Sequence, residues 1–209
     1  MAKIVSYRGD PEDLLKENMS GLLPAIFGPD LKKSLIKEDF LAIQEKLMDE
    51  MLYLEYCRYD YENKNSISEV DFSRNILYNA NLPAKKKEKM IKRVEKVFGK
   101  KGRGISFNQY RTFYNLLFGG TDLERAMFFL DTESEREGVN QVEFSNISKW
   151  VLGGTELDSH IVNVIFTLLD EDGDKNLSVK EFVPVMFQWR NSRGFEKASV
   201  QVSLGQLKI

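Results

Sequence analysis

The chain has 209 residues, enough for one large domain or two small ones with a hydrophobic core. Its 42% hydrophobic and 30% charged residues are ordinary for a soluble globular protein, and a net charge of -2 argues against a general nucleic-acid binder. One cysteine, Cys57, and one histidine, His160, exclude an intrachain disulfide framework and a cysteine- or histidine-rich metal site.

The chain shows no sequence signal for a membrane span or a secretory leader. No apolar run approaches the roughly 18 residues that a span needs. The N-terminus lacks an apolar core and carries acidic residues early, which argues against a signal peptide or an intact transit peptide. The chain is therefore expected to be cytosolic, or a mature or truncated form of a protein targeted elsewhere.

Apolar residues recur at helical spacing along most of the chain and predict an all-α fold. In chain order, the predicted helical segments are 42–57, 86–98, 109–118, 122–130 and 158–169. The first has Ile43, Leu47, Met51 and Leu54 as its apolar stripe. Glycines fall between these segments and mark the turns.

A repeat underlies this pattern. Five segments share an aliphatic residue, a downstream acidic or amide residue and then an aromatic residue: Phe40, Phe72, Tyr110, Phe144 and Phe182. The aromatic residues are 32 to 38 positions apart, which is the length of an EF-hand helix–loop–helix unit. We expect each aliphatic residue in the short strand that pairs two loops, and each aromatic residue on the core face of the exiting helix.

The fifth unit carries a candidate calcium loop at residues 170–181. Carboxylates occupy loop positions 1, 3, 5 and 12, which aim oxygens at one point. Position 7 supplies a backbone carbonyl and position 9 acts through a water. The predicted ligands are Asp170, Asp172, Asp174, Asn176 (by its carbonyl) and Glu181, with Ser178 holding the water. Ser178 and Glu181 also fit a capping box that starts the exit helix without metal.

Position 6 of this loop departs from the pattern. A glycine is expected there because the backbone turns with positive φ, but the residue is Lys175. Holding a non-glycine residue in that region costs about 1–2 kcal/mol. We expect weakened rather than abolished calcium binding; the alternative is a vestigial loop or an acidic surface turn.

The other four loops lack a full ligand set, and we expect them to pair and pack only. Loop 60–71 has Lys64 at position 5, and loop 98–109 begins at Phe98. The unsuitable residues of the other two loops are Gly28 and Lys32 in 28–39, and Thr132, Ser134 and Arg136 in 132–143. A shifted register at 131–143 is a weaker possibility. Adjacency predicts that 132–143 pairs with 170–181 and 60–71 with 98–109. Loop 28–39 then has no partner, which suggests a missing upstream hand.

These units suggest a division into four parts. They are an N-terminal segment with one unpaired degenerate hand (1–50), a degenerate pair (51–120), a pair with the calcium loop (121–192) and a tail (193–209). The last exit helix carries Val183, Met186, Phe187 and Trp189, which form either plain core or a partner surface that opens on calcium binding.

Segment 85–103 is strongly basic. It holds ten Lys and Arg residues against Glu88 and Glu95, a net +8. Such a helix can dock on anionic lipid or an acidic protein ring, or it can be an ordinary solvated face.

Several further motifs follow one another along the chain: 26–32 (IFGPDLK), 40–44 (FLAIQ), 118–129 (FGGTDLERAMFF), 156–166 (ELDSHIVNVIF) running into Lys180-Glu181-Phe182, and 193–197 (RGFEK). In this order they resemble the mitochondrial calcium uptake proteins, the EF-hand regulators of the mitochondrial calcium uniporter. Together they cover roughly residues 22–197.

The resemblance implies a calcium-sensing subunit that binds Ca²⁺ and gates the uniporter. Implied partners are channel subunits or a paralogous EF-hand protein, in a homo- or heterodimer. Implied locations are the intermembrane space or the inner-membrane surface. Family members usually carry two working hands, of which only the second maps here, and some carry a C-terminal cysteine for a covalent dimer that is absent here. Cys57, beside Tyr56, is expected to pack rather than bridge.

Three functions remain open from the sequence. The first is the channel regulator, the second a general EF-hand calcium sensor or buffer, and the third a scaffold with a vestigial site. An enzyme is not expected, because one cysteine and one histidine assemble no convincing nucleophile–base pair, and His160 on a helix face suits a structural role. The Gly99–Gly104 region lacks P-loop spacing.

Overall fold

The structure, a computed structural model, describes residues 26–30, 32–34, 36–78, 80–133 and 138–192, without the side chains of 131, 133 and 187–192. By its internal contacts the chain divides into two units, Met1–Leu54 and Glu55–Ile209. The tail 193–209, the motif 193–197 and the predicted surface residues Phe187 and Trp189 lie outside the described side chains.

The described residues are mostly helical, as predicted. The helices are α1 (Lys37–Cys57), α2 (Glu69–Tyr78), α3 (Ala84–Phe98), α4 (Phe107–Phe118), α5 (Gly120–Glu133), α6 (Gln141–Val151), α7 (Ser159–Leu169) and α8 (Val179–Ser192). Two short strands, β1 (Val139–Asn140) and β2 (Asn176–Leu177), lie between them. The all-α EF-hand fold class is therefore confirmed.

Loop pairing follows the prediction. Val139 pairs with Leu177 in the antiparallel β1–β2 sheet, so loop 132–143 pairs with loop 170–181. Ile67 and Ile105 form an antiparallel bridge, with both backbone N–H groups donating across it at 3.0 and 2.9 Å. Loops 60–71 and 98–109 therefore pair as well. All four aliphatic residues occupy loop position 8 and are buried.

The core of the second unit is built on the repeat's aromatic residues. Phe72, Tyr110, Phe144 and Phe182 are all buried, and Phe144 packs edge-on against Phe182 with ring centroids 5.7 Å apart. Each sits at the start of an exit helix, where its ring enters the space between paired hands. The predicted core position of these four aromatic residues is confirmed.

The first unit departs from two expectations. Phe40 is 41% exposed, so its predicted core position is wrong. The ring therefore does not take the buried place that the same position of the repeat has in the second unit. The predicted apolar stripe on α1 is also exposed at Leu47, Met51 and Leu54.

Cys57, the last residue of α1, is free and exposed. The expectation that it packs is wrong, because the buried face at this end of the helix belongs to Tyr56. The Tyr56 hydroxyl donates to the Ile105 carbonyl at 3.0 Å inside the second unit.

Within the second unit, α3 joins the two hand pairs. Its Met90, Val94 and Phe98 form a buried stripe at helical spacing, and the helix packs on α2 and α7. Lys85, Lys89, Lys92 and Lys96 lie on the opposite, exposed face. The hand that contains the candidate calcium loop is therefore packed directly against the basic helix.

Candidate metal centre

Loop 170–181 is held between two helices and a strand. Asp170 ends α7, where its backbone N–H donates to the Phe166 carbonyl at 2.9 Å. Leu177 is fixed by the β1–β2 pairing. Ser178 and Glu181 then begin α8 with a capping box: Glu181 N–H donates to Ser178 Oγ at 3.3 Å, and Ser178 N–H donates to Glu181 Oε2 at 3.1 Å. The predicted cap is confirmed.

Three carboxylates converge in this loop. One oxygen each from Asp170, Asp172 and Asp174 lies within 4.8 Å of the others. Local turns orient them, because Asp170 accepts from Gly173 N–H at 2.7 Å and Asp174 accepts from Asn176 N–H at 2.7 Å. Asp172 Oδ1 likewise accepts from Asp174 N–H at 3.1 Å. A carboxylate has about four lone-pair sites, so these turns leave acceptor capacity free.

Lys175 adopts the positive φ that position 6 requires, at 67°. Its backbone N–H donates to Asp170 Oδ2 at 3.1 Å, and its side chain is exposed. The loop therefore closes with the expected turn geometry despite the missing glycine. The lysine pays for this in backbone strain of about 1–2 kcal/mol.

Glu181 lies outside the group of converging carboxylates. Its Oε1 accepts from the backbone N–H of Glu171 at 2.7 Å, and its Oε2 accepts from Ser178 Oγ at 2.9 Å. Asn176 donates its side-chain amide to Asp174 Oδ2 at 3.1 Å. The structure thus brings three of the five predicted ligands together and holds Glu181 at the loop entrance by backbone donors.

The chemistry of this donor set fits a hard cation. The converging groups are carboxylate oxygens in an exposed, turn-rich loop. A fourth carboxylate, that of Glu181, accepts a hydrogen bond from the backbone N–H of Glu171, the second residue of the loop. Flexible all-oxygen sites of this kind suit Ca²⁺ better than Mg²⁺, which requires a tighter octahedron.

Loop 60–71 keeps the backbone geometry but not the ligands. Asp60 accepts from the N–H groups of Lys64 and Asn65 at 2.9 and 2.8 Å, and Asn65 at position 6 has φ of 54°. The Lys64 ammonium forms an ion pair with Glu62, the residue at position 3. A lysine side chain thus neutralises the carboxylate that a metal would otherwise engage.

The remaining paired loops, 98–109 and 132–143, keep the helix cap but have no carboxylate at positions 1, 3 and 5. Ser106 with Gln109 and Asn140 with Glu143 form complete capping boxes, and Ser68 Oγ accepts from Asp71 N–H at 3.0 Å. In all four paired loops, positions 9 and 12 therefore cap the exit helix. The shifted-register candidates at 131, 133 and 135 lie outside the described side chains.

Two contacts between distant parts of the chain, one beside the loop and one at the other end of α7, follow no sequence pattern. Lys86 on α3 forms an ion pair with Glu171 at 2.5 Å, and this ammonium, more than the nearby Lys89 and Arg93, holds the pKa of the Glu171 carboxyl below its usual value. His160 Nε2 lies 2.7 Å from Glu69 Oε1 in a buried pair, which supports the structural role expected of His160. Separations of 85 and 91 residues explain why spacing rules miss both contacts.

In the described part of the chain, no helix is long and apolar enough to cross a membrane.

Curated proteins related in sequence cover most of this chain. Calcium uptake protein 1, mitochondrial, from Ailuropoda melanoleuca and from Homo sapiens is 34% identical over 178 residues, 85% of this chain and 36% of each relative. The mitochondrial homolog from Caenorhabditis elegans is 33% identical over 184 residues, 87% of this chain and 34% of the relative. The chain thus spans about a third of the length of these relatives. No protein-family profile matches it.

Solved structures show the same fold. EFHA2 in its calcium-binding state superposes with a TM-score of 0.69 at 29% identity, over 78% of this chain and 49% of that one. The apo structure of the mitochondrial calcium uniporter protein MICU2 gives 0.68 at 22% identity, over 88% and 57%, and supports the fold alone. By its sequence matches, this chain belongs to the mitochondrial calcium uptake protein family.

Proposed function

We propose that this chain is a calcium-sensing regulatory subunit that gates the mitochondrial calcium uniporter. The observation that carries the proposal is the convergence of three loop carboxylates within 4.8 Å of one another, in a chain related to the calcium uptake proteins. The proposed ligands are the side chains of Asp170, Asp172, Asp174 and Glu181 and the backbone carbonyl of Asn176, with Ser178 acting through a water.

Glu181 is the residue whose hydrogen bonds differ between the two proposed states. In this structure its carboxylate accepts hydrogen bonds from the backbone N–H groups of Glu171 and Ser178. A bound calcium ion would supply a double positive charge that favours Glu181 turning both oxygens toward the aspartates. Glu181 lies in the first turn of α8. The rotation of its side chain toward the ion would therefore shift the helix, together with its buried residues Phe182 and Met186.

Isothermal titration with Ca²⁺ tests the site. The chain offers a matched pair of variants, Glu181→Gln and Glu143→Gln, at position 12 of the two paired loops. Glutamine also serves in a capping box, so both variants keep their helix caps. We expect calcium binding in the wild type and in Glu143→Gln, and at least about tenfold weaker binding in Glu181→Gln. Absence of binding in the wild type up to millimolar calcium would favour the scaffold function instead.

Binding to the uniporter separates a channel regulator from a general sensor. The proposed partners are channel subunits or a paralogous EF-hand protein at the inner mitochondrial membrane. Pulldown of uniporter subunits from detergent-solubilised mitochondria, with calcium and with a chelator, should recover them in a calcium-dependent amount. Equal, background-level recovery in both conditions would leave the chain a sensor for other targets.

We also propose that the basic segment 85–103 faces an anionic surface. Some of its cations are used inside the protein: Lys86 pairs with Glu171, Arg93 donates to Leu168, and Arg103 pairs with Asp158. The exposed lysines at 85, 89, 96, 100 and 101 remain for a partner. Sedimentation with cardiolipin-containing vesicles should fall when Lys85, Lys89 and Lys96 are changed to Gln, and neutral vesicles should bind neither form.

A further inference from the structure

Glu171 is the second residue of the candidate calcium loop, between Asp170 and Asp172, and is not itself a proposed ligand. Its side chain pairs with Lys86 across the boundary between the two hand pairs, with Nζ and Oε2 2.5 Å apart. Both side chains are partly exposed, at 40% and 41%. A cation from the degenerate hand pair therefore neutralises a carboxylate that is adjacent to two proposed ligands.

The position of Lys86 is set by the packing of α3. Arg93, seven residues further along this helix, donates from Nη2 to the Leu168 carbonyl at 2.6 Å. Leu168 lies two residues before the first proposed ligand. Met90, which lies between these two contacts, and Val94, which follows Arg93, are buried. The Arg93–Leu168 hydrogen bond and the buried residues of α3 thus hold this helix beside the loop entrance, where Lys86 meets Glu171.

Glu171 also contacts the residue that closes the proposed site. Its backbone N–H donates to Glu181 Oε1 at 2.7 Å. A change in the electrostatic environment of residue 171 therefore acts at the entrance of the loop, next to both the aspartate cluster and Glu181.

We propose that the Lys86–Glu171 pair sets the calcium affinity of loop 170–181, with Lys86 lowering the affinity by cancelling the Glu171 charge. This inference rests on the proposed calcium site and adds its regulation by the degenerate hand pair. The mechanism is Coulombic: an unpaired Glu171 would attract a cation in the loop, and an unpaired Lys86 would repel it.

A double-mutant cycle on calcium affinity tests the pair. The variants are Lys86→Gln, Glu171→Gln and the two combined, titrated with Ca²⁺ by calorimetry at low ionic strength. We expect about threefold to tenfold tighter binding for Lys86→Gln and a similar weakening for Glu171→Gln. The double variant restores the net charge of the wild type and should restore its affinity. All differences should shrink at high salt.

Lys96→Gln is the matched control. It removes one lysine from the same helix, about 15 Å further along the axis and on the exposed face. Its affinity should stay close to that of the wild type, and a shift equal to that of Lys86→Gln would reduce the effect to overall charge and overturn the inference.

The remaining outcomes are distinct. Weaker binding in all three Lys86 and Glu171 variants would show a purely structural contact and overturn the inference, because structural damage does not tighten binding. Calcium binding by the wild type with unchanged affinity in Lys86→Gln would overturn the inference alone. Failure of the wild type to bind calcium would overturn the proposed function and this inference together.

Discussion

The imidazole of His160 lies 2.7 Å from a carboxylate oxygen of Glu69, a residue 91 positions earlier in the chain. The same oxygen accepts the backbone N–H of Gly104 at 2.9 Å. Both side chains are buried, and the Phe98 ring lies edge-on to the imidazole. One carboxylate thus connects α2, the loop before α4, and α7, which carries the candidate calcium loop.

Replacing Glu69 by alanine should destabilise the second unit by about 2–4 kcal/mol, because part-buried donors at His160 and Gly104 lose their acceptor. Urea unfolding followed by circular dichroism measures the loss. Glu88→Ala, which removes an exposed partner of Lys92, is the control and should leave the unfolding free energy close to that of the wild type. Equal effects of the two changes would contradict the assigned role of Glu69.

Gly138→Ala should disturb the pairing of loops 132–143 and 170–181. Gly138 has φ of 85°, and an added Cβ would lie 2.8 Å from the Leu177 carbonyl carbon and the Ser178 nitrogen. We expect a loss of about 2–4 kcal/mol from backbone strain and overpacking, measured by thermal or urea unfolding.

Gly153→Ala separates those two causes. Gly153 also has a positive φ, 63°, but a Cβ there meets nothing within 4 Å. Its cost should be backbone strain alone, about 1–2 kcal/mol. A loss as large as that of Gly138→Ala would show that the close approach to Leu177 contributes little.

Lys175→Gly should stabilise the chain in the absence of calcium. Its φ of 67° is strained for lysine and free for glycine, and the larger unfolded-state entropy of glycine offsets part of the gain. The net increase in unfolding free energy should be about 0.5–1 kcal/mol. Lys175→Ala removes the same charge and keeps the strain. It should raise calcium affinity without raising stability. Equal increases in the unfolding free energy of Lys175→Gly and Lys175→Ala would contradict the assignment of backbone strain to residue 175.

Ser106→Ala should cost about 1 kcal/mol by removing the cap of α4. Ser106→Asn is the matched rescue, because Asn140 caps α6 at the equivalent loop position. Asparagine should recover most of the stability in urea unfolding. If Ser106→Ala leaves the unfolding free energy unchanged, the hydroxyl is not needed. The side chain of Gln109, which accepts a hydrogen bond from the Ser106 backbone N–H at 2.9 Å, would then hold this turn alone.

Local patterns account for what the sequence predicts well. The aliphatic residue at position 8 and the aromatic residue after position 12 belong to one repeat, and the second unit buries both as expected. The cap predicted for Ser178 and Glu181 is also present, and the structure adds capping boxes at Ser106 and Asn140 that were not predicted. The positive φ at Lys175 follows from loop geometry in the same way. Phe40 and the α1 stripe fail because burial requires a second surface, and periodicity along one helix does not reveal whether that surface exists.

The electrostatic surroundings of the candidate site are set by the packing of the two hand pairs. Lys86 and Glu171 are ordinary surface residue types, and nothing in their local sequence indicates that α3 brings them together. Glu181 fits the position 12 pattern, yet its carboxylate accepts hydrogen bonds from the backbone N–H groups of Glu171 and Ser178 and does not join the aspartates. Sequence spacing names candidate ligands, whereas the fold decides which of them already converge.

The cap shared by the four paired loops makes the start of each exit helix independent of metal. The side chain at position 9 accepts the backbone N–H of position 12 in each of them: Ser68 from Asp71, Ser106 from Gln109, Asn140 from Glu143, and Ser178 from Glu181. Loop 98–109, which has no carboxylate at positions 1, 3 and 5, therefore still starts its exit helix and pairs with its neighbour. Loss of the ion ligands does not by itself remove a hand from the array.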